Sequence, residues 1–351
     1  MSLFAVLVLF GMLVRFFMIM VLPIWADEHI AYTIVSRPFI DIMLRSTDAA
    51  RPPMYYIFLK AWSSVSLALP WLRFSSFIFF GINCYVLWKI GSALHDRFFG
   101  KMLVAVYALS GYFVIFDWRV KPYTALLTAM LLTIFLLQRK SVHFLFLFGT
   151  LLSGLLLDFG YLYFYIPMTF YYMVLRHKNR VTAVVISAGL LFGLYILGIP
   201  RDYPRFIAGT AWVRSYMHPA FTLPYLSGFA GIPFVAFPVV VIWVAGYYLH
   251  FMENGYRTLG GMIWHGAVAS YIVAAIVSWA WIPILHVRSL QIVALSMLFS
   301  MAYALYFCRT FALWEKRLVY VVAFGLMALN AARVAYQMTY LPGIFLVSFM
   351  Q

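Results

Sequence analysis

Apolar runs of membrane-spanning length recur from one end of the 351-residue chain to the other, separated by short charged breaks. An apolar stretch of about 18 residues or more is typical of a helix that crosses a bilayer. The pattern therefore predicts an all-α polytopic membrane protein with about 11 transmembrane helices. They are expected near residues 3–24, 72–94, 102–116, 121–138, 142–157, 161–175, 181–199, 228–250, 262–282, 289–308 and 318–338.

Composition favours one integral membrane unit. Hydrophobic residues make up 66% of the chain and charged residues 10%, and no polar stretch is long enough for a separate soluble domain. We therefore expect residues 1–351 to form a single membrane module. The first apolar stretch lacks a basic leading region and a small-residue cleavage site, so it predicts a retained helix and not a signal peptide. Cys84 and Cys308 lie within apolar runs, so no disulfide framework is expected.

The formal charge of +15 raises the question of a nucleic-acid partner. Basic residues are scattered between the spans without a dense run or a nucleic-acid motif, so we expect no nucleic acid. Membrane topology and an anionic lipid ligand explain the charge better. The chain also lacks the Walker, dinucleotide-binding, HExxH and CxxC patterns, which leaves nucleotide hydrolysis, dinucleotide binding, zincin chemistry and thiol redox with little support.

One segment, residues 53–69, is ambiguous because hydropathy alone allows it to cross the bilayer. If it lies along the interface, the short basic connectors share one side, which the positive-inside rule makes cytoplasmic. Lys60, Trp62 and Trp71 also suit an amphipathic interfacial helix. We therefore expect a first extracytoplasmic loop at 25–71 with interfacial helices, and a second large one at 200–227. The connectors that decide this are 95–101, 138–141, 176–180, 253–257 and 308–317.

With this topology the outer face holds seven of the ten acidic residues, and its cations are arginines except for Lys121. Topology requires only positive charge, whereas the arginine fork binds phosphate or carboxylate in a bidentate way. The outer arginines therefore indicate an anionic ligand on that side.

The two acids of "WADEHIAY", Asp27 and Glu28, open the first outer loop. Taken alone, such a pair is more often a solvated helix end than a site. In a helix, adjacent residues point about 100° apart, so one target cannot easily use both carboxylates. If this is a site, one of the two carries chemistry and the other orients a residue or a metal.

Other motifs on the same face hold charged or aromatic residues. Arg51 precedes two prolines that fix the chain entering the interfacial helix, and Arg73 opens the second span, where snorkelling is the alternative to phosphate contact. The turn "FDWRVKPY" contains Asp117, Arg119 and Tyr123, and an internal Asp117–Arg119 pair is its simpler interpretation. Further candidates at outer helix ends or in outer loops are Asp158, Arg201, Arg205, His218, His286 and Arg288.

The order of these motifs resembles the membrane module of the C-type (GT-C) glycosyltransferases. The motifs are an apolar first span containing Arg15, W-x-D-E-x-x-x-Y, [R/H]-P-P-x-Y-Y, a Leu-Arg that opens a span, D-W-R-x-x-x-Y, and a late arginine at Arg288. The chain is most similar to the branch of the protein O-mannosyltransferases and the lipid A aminoarabinose transferase (glycosyltransferase family 39/83-like). Arg51 stands where that family usually has histidine, and Arg288 lacks the tyrosine that commonly follows it.

The resemblance implies a GT-C fold and transfer of a sugar from a polyprenyl-phosphate donor outside the cytoplasm. It makes Asp27 the catalytic carboxylate and Glu28 its supporting neighbour. We expect Asp27 to deprotonate an acceptor hydroxyl, with inversion at the anomeric carbon. No cofactor is required, although Mg²⁺ or Mn²⁺ between Asp27 and the phosphate is possible. The candidate phosphate contacts are Arg51, Arg73, Arg201, Arg205 and Arg288.

Two other functions stay open at this point: a transporter or flippase of an anionic lipid-linked saccharide, and a catalytically inactive scaffold of the same fold. A transporter is expected to place charges near the midplane or to have two related halves; here most charges lie at outer helix ends. The expected acceptor is a glycolipid, a polysaccharide or another lipid-linked molecule. The expected location is the bacterial plasma (inner) membrane, with a cytoplasmic N-terminus and an extracytoplasmic active site.

Overall fold

The computed structural model describes residues 3–44, 52–139, 144–158, 161, 164, 241, 244–250, 252, 259–280 and 291–340. These residues form α-helices, a short 3₁₀ turn at Cys308–Thr310 and connecting turns, and no strand occurs among them. The helices are α1 (Leu3–Val21), α2 (Ala26–Val35), α3 (Phe39–Leu44), α4 (Met54–Ser63), α5 (Leu69–Leu94), α6 (Arg97–Leu109), α7 (Gly111–Phe116), α8 (Tyr123–Gln138), α9 (Phe144–Leu157), α10 (Leu259–Ala280), α11 (Gln291–Phe307) and α12 (Leu313–Tyr340).

Most of the predicted membrane helices agree with this structure where it describes them. Four stretches of helix are long and apolar enough to cross a membrane, namely 3–21, 69–94, 291–310 and 313–339. The helices α8, α9 and α10 also fall within a few residues of predicted spans. The predicted spans 161–175, 181–199 and 228–250 lie mostly outside the described residues, so the number of eleven stays a prediction.

The span predicted at 102–116 is wrong in its bounds and its continuity. The helix begins earlier, at Arg97, where Asp96 caps it by accepting a hydrogen bond of 2.8 Å from the Phe99 amide. It breaks at Ser110, whose ψ of 122° is extended, and resumes as α7. A serine followed by a glycine is a common place for a helix to kink, because neither residue favours the helix interior.

The ambiguous segment 53–69 does not cross the bundle as one helix. Its helix α4 has 10 residues, which at 1.5 Å per residue is about 15 Å, half the thickness of a bilayer core. It begins directly after Pro53, which occupies the N-cap position. The short α4 agrees with the prediction that this segment lies along the membrane interface, which stays a prediction.

The loop helices are tied to one another and to α5 by specific contacts. The Lys60 ammonium donates to the Val35 carbonyl at 2.7 Å and so satisfies the C-terminal end of α2. Trp62 and Trp71 stack with ring centroids 4.6 Å apart, and each indole N–H donates to the other residue's carbonyl. These contacts hold α2, α4 and the start of α5 as one small unit, which we call the α2–α4 end of the bundle.

The packing below this unit brings the spans into close contact. The helix α5 packs on α6 and α8, and α1 and α11 both pack on α6. At Gly11 a Cβ would lie 2.5 Å from the Ala108 carbonyl oxygen, so only glycine allows α1 to approach α6 this closely. A separate small core covers the α2–α4 end, and it is built from Ala31, Ile34, Val35, Ile42, Tyr55, Tyr56, Leu59, Leu72, Val120 and Ala125.

Candidate functional site

Glu28 lies at the centre of the α2–α4 end and is 1% exposed. It is the third residue of α2, and its carboxylate accepts a hydrogen bond of 3.0 Å from the Trp25 amide, the capping arrangement typical of a glutamate at this position. The same carboxylate accepts from the Val120 amide at 3.0 Å and pairs with Arg73 through two hydrogen bonds, of 3.0 and 2.6 Å. Both oxygens of Glu28 are therefore engaged within the protein.

Arg73 has no exposed surface, and its five N–H groups match five hydrogen bonds. Two go to Glu28, and the others go to the carbonyls of Ile19 (3.3 Å), Leu22 (2.6 Å) and Pro23 (2.7 Å). Its guanidinium carbon also lies 4.6 Å from the centroid of the Trp118 ring. This geometry favours a positioning role for Arg73, whereas direct phosphate contact stays an untested prediction.

Asp117 makes a second buried pair, and its partner is not the one that the turn sequence suggests. Its carboxylate accepts from Arg15 of α1, with the Arg15 Nη2–Oδ2 distance at 2.9 Å and the Nε–Oδ2 distance at 3.1 Å. The simpler interpretation of this turn, a pair with Arg119, is therefore replaced by a pair across 102 residues. Arg15 also donates to the carbonyls of Gly11, Tyr107 and Ala108.

The turn between α7 and α8, residues 117–122, connects these two pairs. Its Arg119 carbonyl accepts a hydrogen bond of 2.6 Å from the Ser76 hydroxyl. The Arg119 guanidinium carbon lies 4.4 Å from the centroid of the Trp25 ring, so the turn contacts the residue that precedes the DE motif. Trp118, Arg119 and Lys121 are all at least 96% buried. The turn therefore places the Arg119 cation against the residue that caps α2 and the Trp118 ring against Arg73.

Tyr123 and Asp158 lie near the same turn. Tyr123 begins α8 and is buried, and its carbonyl accepts a hydrogen bond of 3.2 Å from Gln291, the first residue of α11. Asp158 directly follows Leu157, the last residue of α9, which packs against the small core of the α2–α4 end. The structure therefore brings Glu28, Arg73, Asp117, Arg119 and Tyr123 together and places Asp158 at the edge of the group.

Several predicted site residues lie outside the described part of the chain. The backbone of Asp27 is described as part of α2, but its side chain is not. Among the described residues no group of three histidine, cysteine or acidic side chains is arranged to hold a metal ion; the predicted divalent ion at Asp27 stays a prediction. The candidates outside the described residues are Arg51, Arg201, Arg205, His218, His286 and Arg288.

Arg15 belongs to the motif order of the resemblance, but the sequence assigned it no role in the site. A lone charge in an apolar span needs a partner inside the protein, so its position in α1 was a usable signal. Nothing in the sequence identified that partner, because Asp117 already had cations nearby in its own turn. The buried indoles of Trp25 and Trp118 were not singled out as site residues either.

Chemically, the arrangement is a rigid, charged support beneath the start of α2. The Leu-Arg and D-W-R-x-x-x-Y motifs meet the W-x-D-E motif through direct hydrogen bonds between residues 45 and 92 positions apart in sequence. Buried arginine–carboxylate pairs of this kind hold their groups firmly, because breaking one leaves an uncompensated charge. The network can therefore hold a neighbouring catalytic group in a fixed place.

No family model matches the chain, and no curated protein matches it. Solved structures do: ArnT from Cupriavidus metallidurans bound to undecaprenyl phosphate is similar with a TM-score of 0.59 and 14% identity, over 99% of this chain and 76% of that one. The apo state of the same protein is similar with a TM-score of 0.57 and 15% identity, over 99% of this chain and 75% of that one.

At this identity the likeness shows the fold. The chain has the GT-C fold. The sequence prediction of that fold is confirmed, whereas the likeness does not single out a branch.

Proposed function

We propose that this protein transfers a sugar from a polyprenyl-phosphate donor to an acceptor hydroxyl, on the extracytoplasmic side of the membrane. The GT-C fold supports this, since a solved structure with that fold carries undecaprenyl phosphate. The observation that carries the proposal is the convergence of the DE, Leu-Arg and D-W-R motifs on one buried network around Glu28. All three are among the motifs that carry the resemblance to GT-C enzymes.

The network also supports different roles for the two acids, Asp27 and Glu28. Glu28 binds Arg73 and two backbone amides, so its charge and its lone pairs are already used. We therefore assign the base to Asp27 and the positioning of α2 to Glu28.

In the proposed reaction, Asp27 accepts the proton of the acceptor hydroxyl as its oxygen bonds to the anomeric carbon. The bond between that carbon and the phosphate oxygen breaks on the opposite face, so the configuration inverts. The electron pair leaves with the prenyl phosphate, whose charge cations stabilise. Because the N–H groups of Arg73 are committed to the protein, we propose the other arginines of the predicted set, Arg51, Arg201, Arg205 and Arg288, for this role.

The test begins with the purified protein in nanodiscs. Lipids that co-purify are identified by mass spectrometry, and a panel of undecaprenyl-phosphate sugars with glycolipid acceptors is assayed for release of undecaprenyl phosphate. We expect Asp27→Asn to lower transfer at least about a hundredfold, which is the low end of a general base's contribution, without changing the melting temperature. Asp41→Asn, which neutralises another carboxyl of the same loop, is the matched control and is expected to remain active.

Near-normal turnover of Asp27→Asn would contradict the assignment of the base. Movement of a lipid-linked sugar across proteoliposomes without release of prenyl phosphate would instead indicate a transporter. Replacing each predicted phosphate arginine by lysine removes its planar fork; full activity of all these variants would refute the arginine cluster.

A further inference from the structure

We propose that Arg15 is a positioning residue for the DE motif, acting through the turn 117–122. This inference rests on the proposed function, since it concerns the residues that hold its catalytic group in place. Arg15 lies in α1, outside every motif that was assigned a role in the site. Its link to the motif is a continuous series of short contacts.

The first step is the attachment of the turn to three helices, α1, α5 and α6. The guanidinium of Arg15 has no exposed surface and makes five hydrogen bonds, matching its five N–H groups. Two reach Asp117, two reach the carbonyls of Tyr107 and Ala108 in α6, and one stays within α1. Its carbon also lies 4.2 Å from the Phe80 ring centroid in α5. Arg15 therefore joins α1, α5, α6 and the turn at one point.

The second step leads from the turn to Glu28. Three residues after Asp117, the Val120 amide donates to Glu28 Oε1 at 3.0 Å. Between them, the Trp118 ring packs against the guanidinium of Arg73, which binds the same carboxylate. The turn thus lies between two guanidinium groups, with Arg15 fixing its start and Arg73 contacting its middle.

The third step leads from Glu28 to Asp27. Because the Glu28 carboxylate also holds the Trp25 amide, the first turn of α2 follows any shift of Glu28. Asp27 lies in the chain between these two residues. A misplacement of about 1 Å in a reacting group can cost about a hundredfold in rate, so a contact made by α1 affects the proposed base.

Removing Arg15 alone would leave the Asp117 carboxylate buried without a counter-charge. The protein would then lose stability whether or not Arg15 positions the DE motif. The informative variant is therefore the neutral pair Arg15→Met with Asp117→Asn. Its matched control is Arg309→Met with Asp96→Asn, which removes the ion pair between the α5–α6 turn and the end of α11. If Arg15 only contributes stability, the two neutral variants show the same hydrogen exchange in α2.

The readout is hydrogen exchange of residues 25–35 in nanodiscs, measured by mass spectrometry without any substrate. We expect exchange there to rise at least about tenfold in Arg15→Met/Asp117→Asn, reflecting easier local opening, while the melting temperature stays within about 4 °C. The control should leave exchange at 25–35 unchanged. Unchanged exchange in the first variant, with the protein folded, would overturn the proposal.

Should the neutral variant not fold, Arg15→Lys replaces it in the same measurement. Lysine keeps the charge opposite Asp117 but has three donors in place of five, so exchange at 25–35 should still rise; no change would overturn the proposal. Once a donor is known, the variants should lower kcat with KM nearly unchanged, as expected for a misplaced base. If the wild type transfers no sugar, the proposed function fails, whereas the exchange result stands independently.

Discussion

Arginine–carboxylate pairs occur near both ends of α5, and they differ in their surroundings. Near its start, Arg73 and Glu28 have side chains that are 1% and 0% exposed. Just beyond its end, Arg309 and Asp96 meet at a similar distance, 2.8 Å, with side chains that are 47% and 41% exposed. The chemistry is the same, but water can replace only the second pair. Burial therefore makes one pair essential to its region and leaves the other nearly dispensable.

The surroundings also determine how many groups depend on each pair. Glu28 holds Arg73 and the amides of Trp25 and Val120, so three segments lose their connection if it changes. Asp96 likewise accepts from the Phe99 amide and the Tyr306 hydroxyl, but 41% of its side-chain surface is already exposed to solvent. A lost contact there is replaced by water at little cost.

The largest effect is expected from Glu28→Gln, which leaves the buried Arg73 without its counter-charge. Breaking one side of a buried pair typically costs about 3–5 kcal/mol. We expect the free energy of unfolding, followed by thermal or denaturant melting in detergent micelles, to fall by that order. His29→Gln, which alters the exposed neighbouring residue, serves as the control. Equal melting of the two variants would show that the buried pair is not important for stability.

An intermediate effect is expected from Gly11→Ala, which acts on the packing around Arg15. The new Cβ would lie 2.5 Å from the Ala108 oxygen, so α1 and α6 must separate, at a cost of about 1–3 kcal/mol. Gly81→Ala on α5 is the matched control, because nothing lies within 4 Å of its Cβ. Equal melting temperatures of the two variants would contradict the close approach of α1 to α6.

The smallest effect is expected from Asp96→Asn, at most about 1 kcal/mol because both partners are well exposed. Burial alone would raise the pKa of the Asp96 carboxyl, but hydrogen bonds from Phe99 and Tyr306 and the charge of Arg309 lower it below its usual value. A carboxyl whose pKa is lower in the folded than in the unfolded protein stabilises the fold at pH values above its unfolded pKa, near 4. This stabilisation is lost as the pH falls through the folded pKa. The difference in melting between wild type and variant should therefore be present at pH 7 and vanish at low pH. A difference that grew on acidification would refute the direction of this shift.

Local features were readable from the sequence. The helices α5, α8, α9, α10 and α11 were predicted to within about three residues at each end, because a long apolar run must be buried in lipid or protein wherever it occurs. The start of α4 was also readable, since prolines before it exclude a continuous helix. The break at Ser110 was missed, because apolar residues continue through it and hydropathy does not register a kink.

The partners of the charged side chains were decided only by the tertiary structure. The sequence shows that Arg15 and Asp117 each need a partner, but many residues of opposite charge could serve. The choice depends on which helices come into contact, including the approach of α1 to α6 at Gly11. The sequence likewise predicted Arg73 as an anion-binding residue, and only the fold shows that Glu28 and three carbonyls occupy its N–H groups. Hydrophobic run length is a local property, whereas the pairing of buried charges is set by contacts between residues distant in the chain.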